Sequence, residues 1–173
     1  MAVNPLSIII PTKNEAKHIA ACVDAFMPFL GKGVREILVI DNFSTDHTVA
    51  LATARGARVL SQGPERSTQR NAGWKTASGE YVFFVDADMT VPAETIREIL
   101  RALACAEPPD AFYVREIRVG KGWWIRVRNF ERGFYDATCI DGLRVIRRSL
   151  LEQVGGYDEK LYACEDWDLD HRL

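Results

Sequence analysis

No stretch of this 173-residue chain approaches the ~20 consecutive apolar residues that a membrane-crossing helix requires. The chain does not open on a basic segment followed by an apolar run, so the pattern of a secretory leader is missing and the protein reads as soluble and cytoplasmic. A surplus of positive charge is missing too. The 22 Lys and Arg against 24 Asp and Glu give a formal net charge of -2, which excludes the global field that holds a nucleic-acid backbone. Histidine is scarce, and the 4 cysteines, Cys22, Cys105, Cys139 and Cys164, have neither a close pair nor a histidine at zinc-ligand spacing. All four are expected to be reduced packing residues. What is abundant is apolar: 47% hydrophobic against 27% charged is the balance of one globular domain with a substantial core.

Leu6 to Ile10 is a β-branched run closed by Pro11, the pattern of a strand buried on both faces. Thr12-Lys13-Asn14-Glu15 has capping-box spacing and is expected to open a helix carrying Ile19, Val23, Phe26 and Leu30 on its apolar face, stopped by Gly31 and Gly33. The alternation continues with a strand from Glu36 to Ile40, a helix from about Thr45 to Arg55, a strand from Arg58 to Leu60, a helix from about Glu65 to Ala77 and a strand from Tyr81 to Val85. Pro92 starts a further helix with Ile96, Ile99, Leu100 and Leu103 as its core stripe. Strands are expected from Asp110 to Val119 and from Cys139 to Arg147, on either side of an aromatic and basic stretch from Lys121 to Arg132. The prediction is an α/β fold with a mostly parallel sheet flanked by helices. Nothing divides it. A single domain over 1–173 is expected, its nucleotide-binding part at about 1–90 and its acceptor and catalytic part at about 91–173.

Ligands of parallel sheets collect where loops leave the carboxyl ends of strands. Three polar clusters stand there: Pro11-Thr12-Lys13-Asn14-Glu15, Asp41-Asn42 and Asp86-Ala87-Asp88. Two converging carboxylates repel unless a cation joins them, and hard oxygen ligands suit Mg2+ or Mn2+ bridged to substrate phosphates. The plain alternative for Asp86 and Asp88 is a capping or turn pair. A rival enzyme reading is the Asp-x-Asp-x-Thr loop of haloacid-dehalogenase-type phosphatases, with Asp86 as nucleophile and Asp88 as acid/base. Such folds carry that loop on their first strand, whereas three strand-helix units precede it here. Glu165, Asp166, Asp168 and Asp170 make an acidic helix start, favourable in itself against the helix dipole. Lys121, Trp123, Trp124, Arg126, Arg128, Phe130 and Arg132 interleave cations with rings, read either as a packed amphipathic helix or as an acceptor or lipid-interface surface.

In order, Ser7-Ile8-Ile9-Ile10-Pro11-Thr12-Lys13-Asn14-Glu15, Val39 to Asp46, Arg70-Asn71-Ala72-Gly73, Phe84 to Asp88, Gly155-Gly156-Tyr157-Asp158-Glu159 and Glu165-Asp166 resemble the successive motifs of family 2 glycosyltransferases with a GT-A fold. The resemblance implies metal-dependent, inverting transfer of a sugar from a nucleotide-diphosphate sugar, a UDP-sugar first, to a sugar, lipid-linked or other hydroxyl acceptor. It implies that Pro11, Thr12, Glu15, Asp41, Arg70 and Asp86 bind nucleotide, that Asp88 with Asp86 holds Mg2+ or Mn2+, and that Asp166 is the catalytic base. Glu165, Trp123 and Trp124 are the acceptor candidates. Nucleic acid is not an expected partner; peripheral contact with the inner face of a membrane is. Phe43 stands where the family commonly has glycine, and a non-glycine residue adopts a positive φ less cheaply, so that loop is expected to differ. No Gln-x-x-Arg-Trp motif follows, and the end at Leu173 reads as a truncation just inside the helix that Glu165 begins. The competing reading within the same fold is a nucleotide-sugar binding module without catalysis.

Overall fold

The computed structural model describes residues 4–116, 122–132 and 143–173. Its strands are β1 (Leu6–Thr12), β2 (Val34–Asp41), β3 (Arg58–Ser61), β4 (Tyr81–Phe84), β5 (Ala111–Val114) and β6 (Leu143–Arg147). The helices are α1 (Ile19–Phe26), α2 (Thr48–Ala54), α3 (Arg66–Thr76), α4 (Ala93–Leu103), α5 (Trp123–Arg132), α6 (Arg148–Val154) and α7 (Glu165–Arg172). One six-stranded sheet runs in the order β3-β2-β1-β4-β6-β5. The first four strands are parallel, and β6 lies antiparallel to both β4 and β5.

Both faces of the sheet are covered, and the period of two along each strand sorts its side chains between them. Ile8, Ile10, Val39 and Phe83 pack with Ile19, Phe26, Ile96 and Ile99 of α1 and α4. Ile9, Leu38, Ile40, Val82 and Phe84 face the opposite layer with Trp74 of α3, Leu151 of α6 and Leu169 of α7. On that second side α3 lies close against the strands. A Cβ on Gly73 would come within 2.4 Å of Ile9 Cγ2 and 3.3 Å of Ile40 Cγ1. The motif glycine thus sets the depth of the helix, and Arg70, one turn earlier, is carried under the strand ends.

The capping box at Thr12 and Glu15 does not form. Thr12 is the last residue of β1, paired in register with Asp41, and α1 starts only at Ile19. Asn14 instead adopts a left-handed φ of 55° and clasps the next loop. Its backbone N–H donates to Ser44 Oγ at 2.8 Å, and its Oδ1 accepts from the Thr45 N–H at 2.8 Å. A 3-10 turn, Met27–Phe29, separates the end of α1 from Gly31 and Gly33. The strand expected to reach Val119 holds Ala111–Val114, and its last expected residues, from Ile117, lie outside the described residues. The strand expected from Cys139 is described from Leu143, so its first four residues lie outside as well. Of the described cysteines, Cys22 is buried as expected, but Cys105 and Cys164 are exposed; Cys139 is outside the described residues.

Phe43 adopts the positive φ that its side chain makes costly, 51°, and leaves the ring 66% exposed. The loop pulls it there: Asp41 Oδ2 accepts from the Ser44 N–H at 2.8 Å, and Asp41 Oδ1 from the Ser44 hydroxyl. These bonds close the Asx-type turn that glycine would make more cheaply.

Candidate active site

The carboxyl ends of β1, β2 and β4 open onto a cavity of about 420 Å³ lined by Pro11, Thr12, Glu15, Asp86 and Asp88, with Lys13, Arg66 and Gln69. Its floor is fixed by backbone: Gln69 Nε2 donates to the Thr12 carbonyl at 3.0 Å and also to that of Ile40. Thr12 Oγ1 is buried and has no hydrogen-bond partner among the described residues. A buried hydroxyl without a partner costs free energy that a ligand in the cavity would recover. Asp88 is exposed at the mouth, while Asp86 is half-buried behind it. Burial holds the Asp86 carboxyl above its ordinary value, against the pull of Arg70 and Arg66. Beneath the pair, burial and then the charges of Asp86 and Asp88 push the Cys22 thiol up to about 12.

Arg70 does not line the cavity. It is buried behind Asp86, with Nη2 3.6 Å from Asp86 Oδ1 and Nη1 3.0 Å from Asp166 Oδ1 and 3.6 Å from Glu165 Oε1. One guanidinium from α3 therefore ties the end of β4 to the first turn of α7. Burial opposes its charge, yet the surrounding acidic groups outweigh burial and raise its pKa above the ordinary value. The cation that does line the cavity, besides Lys13, is Arg66 at the start of α3. Read as an ordinary helix start, it escaped the sequence analysis; a cation on the first turn of a helix facing a strand-end loop is the signal that could have found it.

Asp166 is approached from a second side by Arg144 of β6, a residue the sequence analysis passed over as part of an ordinary strand. Arg144 is 2% exposed, and its Nη1 lies 3.1 Å from the Asp166 carbonyl, 3.6 Å from Asp166 Oδ1 and 3.1 Å from Asp170 Oδ1. Its other guanidinium nitrogens have no hydrogen-bond partner among the described residues, and the group stacks over the Tyr113 ring at 5.5 Å. Two buried guanidinia thus stand among Asp86, Glu165, Asp166 and Asp170, with Asp88 at the mouth. Negative charge is in surplus there. That fits a divalent cation held by hard oxygens, although among the described residues no group of three His, Cys, Asp or Glu is arranged to hold a metal alone. Asp86 and Asp88 fit as partial ligands to an ion that shares its shell with substrate oxygens.

The remaining expected residues are placed apart from the cavity. Asp41 is buried with its carboxylate bound to Ser44, supporting the loop from behind. Glu165 faces Arg70, with its side chain only 12% exposed. Gly155-Gly156-Tyr157 is a latch: Asn71 Oδ1 accepts from Trp74 Nε1 and the Tyr157 N–H, while Nδ2 donates to the Tyr157 carbonyl and Glu159. Trp123 and Trp124 stack at 4.1 Å on α5 and are 62% and 65% exposed, so the packed-helix reading fails for them. Lys121 and the side chains of Arg128 and Arg132 lie outside the described residues.

A parallel βαβ sheet continued by antiparallel strands, with an Asp-x-Asp loop at its centre, is the GT-A class of fold. The comparisons agree at the level of sequence. The chain belongs to glycosyl transferase family 2, whose model matches residues 7–155. The glucosyl-3-phosphoglycerate synthase of Mycolicibacterium smegmatis is 34% identical over 96 residues, 50% of this chain and 32% of that protein. A PGL/p-HBAD biosynthesis glycosyltransferase of Mycobacterium bovis is 27% identical over 184 residues, 99% of this chain and 70% of the relative. The crystal structure of Mycobacterium tuberculosis glucosyl-3-phosphoglycerate synthase with Mn2+, uridine diphosphate and glucosyl-3-phosphoglycerate aligns with a TM-score of 0.66 at 26% identity. That alignment covers 86% of this chain and 58% of the solved one. The chain thus spans about a third of the first relative and little more than half of the solved structure. Family membership and the position of the Asp-x-Asp loop after the fourth strand set the phosphatase alternative aside.

Proposed function

We propose that this chain transfers a sugar from a nucleoside-diphosphate sugar to an acceptor hydroxyl, with inversion. The observation that carries the reading is the joining, through buried Arg70, of Asp86 in the Asp-x-Asp loop after β4 to Asp166 on α7. UDP is the favoured nucleotide because the solved relative binds it together with Mn2+. Pro11, Thr12 and Glu15 receive the nucleoside, and Arg66, Lys13 and the start of α3 face the diphosphate. Asp41 acts on the base through the shape of its loop. Asp88, with Asp86, would hold Mn2+ or Mg2+, which when bound neutralises the departing diphosphate. Asp166 takes the proton of the acceptor hydroxyl as it attacks the anomeric carbon, and no covalent enzyme intermediate forms.

The acceptor is a sugar, a lipid-linked hydroxyl compound or a small hydroxy acid phosphate; the solved relative has been captured with phosphoglyceric acid. Among the described residues no helix is long and apolar enough to cross a membrane. The exposed rings of Trp123, Trp124 and Phe130 support a peripheral contact at the cytoplasmic face, where a lipid-linked acceptor would lie. Isothermal calorimetry with UDP, with and without Mn2+, tests the reading, and metal-dependent binding is expected. No nucleotide binding with either Mn2+ or Mg2+ would overturn it, and binding without turnover of any donor would leave a non-catalytic module.

A further inference from the structure

We infer that Arg144 is a positioning residue that fixes the first turn of α7, and with it the reactive face of Asp166, against the donor side of the cavity. The inference rests on the reading of Asp166 as the base. Its ground is the pattern of contacts around one carboxylate. Arg70 and Arg144 both reach Asp166 Oδ1, at 3.0 and 3.6 Å, and among the described residues the side-chain hydrogen bond goes to Oδ1 and none to Oδ2. One oxygen is held and the other is left to accept a proton.

Arg144 also holds the backbone beneath that side chain. Its Nη1 donates to the Asp166 carbonyl at 3.1 Å and lies 3.1 Å from Asp170, one helical turn further on. Asp170 is fixed a second time, because the hydroxyl of Tyr113, directly opposite Arg144 on β5, donates to its Oδ2. On its other side Arg144 pairs in register with Phe84 of β4, two residues before Asp86. A rigid strand contact thus sets the separation of Asp86 from Asp166. The short helix could not do so alone: α7 has eight residues, no side-chain cap, and an N-cap, Cys164, at φ 61°.

The test compares wild type, Arg144→Gln, Asp170→Asn and Asp166→Asn. Three quantities are measured: UDP release from UDP-glucose with Mn2+ and 3-phosphoglycerate or water as acceptor, Mn2+-dependent UDP affinity, and amide hydrogen exchange of residues 165–172. For Arg144→Gln, kcat is expected to fall about 10²-fold with donor KM and UDP affinity unchanged, because displacement of a reacting group by about 1 Å costs that much. Exchange in α7 is expected to accelerate while that of β1 and β2 does not change. Asp170→Asn removes the charge of one of Arg144's contacts with α7, leaving those to Asp166 and the buried cation in place, so it is expected to give the same pattern more weakly, and it decides the matter if Arg144→Gln does not fold. Wild-type kcat and wild-type α7 protection in the folded variants would overturn the inference. Wild-type turnover in Asp166→Asn would instead remove the base assignment, and the exchange data would still show whether Arg144 orders α7.

Discussion

At the scale of single residues, the proposed transfer gives Asp88 a part in binding and Asp166 a part in chemistry. Asp88 is exposed in a loop and contributes little to the core, so Asp88→Ala is expected to change stability by no more than about 0.5 kcal/mol while abolishing the metal dependence of UDP binding. A folded Asp88→Ala with unchanged metal-dependent affinity in calorimetry would refute its role as a ligand. Asp166→Asn keeps the size of the side chain and its contact with Arg70 but cannot accept a proton. Donor affinity is expected to survive while turnover falls by roughly 10²-fold or more, measured as UDP release beside nucleotide titration. The strand-end residues were legible in the sequence because each motif follows a buried apolar run, and the end of such a run faces the site whatever its neighbours are. Arg144 and Tyr113 were not, and Asp170 read only as part of an acidic helix start. Leu143-Arg144-Val145-Ile146-Arg147 reads as an ordinary stretch of strand, and the insertion of β6 between β4 and β5 buries Arg144.

At the scale of elements, the seating of α3 decides where Arg70, Arg66 and Gln69 stand. Gly73→Ala would drive a methyl group into Ile9 and Ile40, and overpacking of this kind costs about 1–3 kcal/mol. A lower denaturation midpoint is expected, together with weaker UDP binding as the helix lifts; an unchanged midpoint would show that the contact relaxes freely. The run of elements from β1 to α4 was readable because each is a local pattern of period two or 3.6. The start of α1 was misread because Thr12 serves the sheet. Local capping chemistry lost there to the ladder that pairs Thr12 with Asp41. The Phe43 loop shows a related competition: the turn is imposed by Asp41 and Ser44, and the steric cost at one residue is outweighed by their hydrogen bonds.

At the scale of the whole molecule, the two ends of the sheet use carboxylates in opposite ways. At the end away from the cavity, Glu36 Oε1 accepts from Ser7 Oγ at 2.9 Å and from the Ser78 hydroxyl and N–H, each at 2.7 Å. Burial pushes the Glu36 carboxyl up, but the bonds from Ser78 and Ser7 and the charge of Arg58 outweigh it and hold the carboxyl below its ordinary value. Because the folded value is depressed, the stabilisation is complete above the ordinary glutamate range and is lost as pH falls through the lowered value. Glu36→Gln is therefore expected to lower Tm at pH 7 and to differ much less from wild type at pH 3, measured by thermal denaturation at both. A constant difference would mean that ionisation of Glu36 is not involved. At the cavity end the carboxylates are instead gathered by Arg70, whose three acidic partners come from two distant parts of the chain: Asp86 from the loop after β4, Glu165 and Asp166 from α7. During ribosomal synthesis those partners emerge some eighty residues apart. Until the second group arrives, the first part of the sheet carries a guanidinium with one acidic neighbour, and a buried cation so poorly matched opposes the packing of α3. Arrival of α7 thus completes the charge balance around Arg70, and an interrupted product lacking it is expected to fold loosely and to be cut faster by proteases.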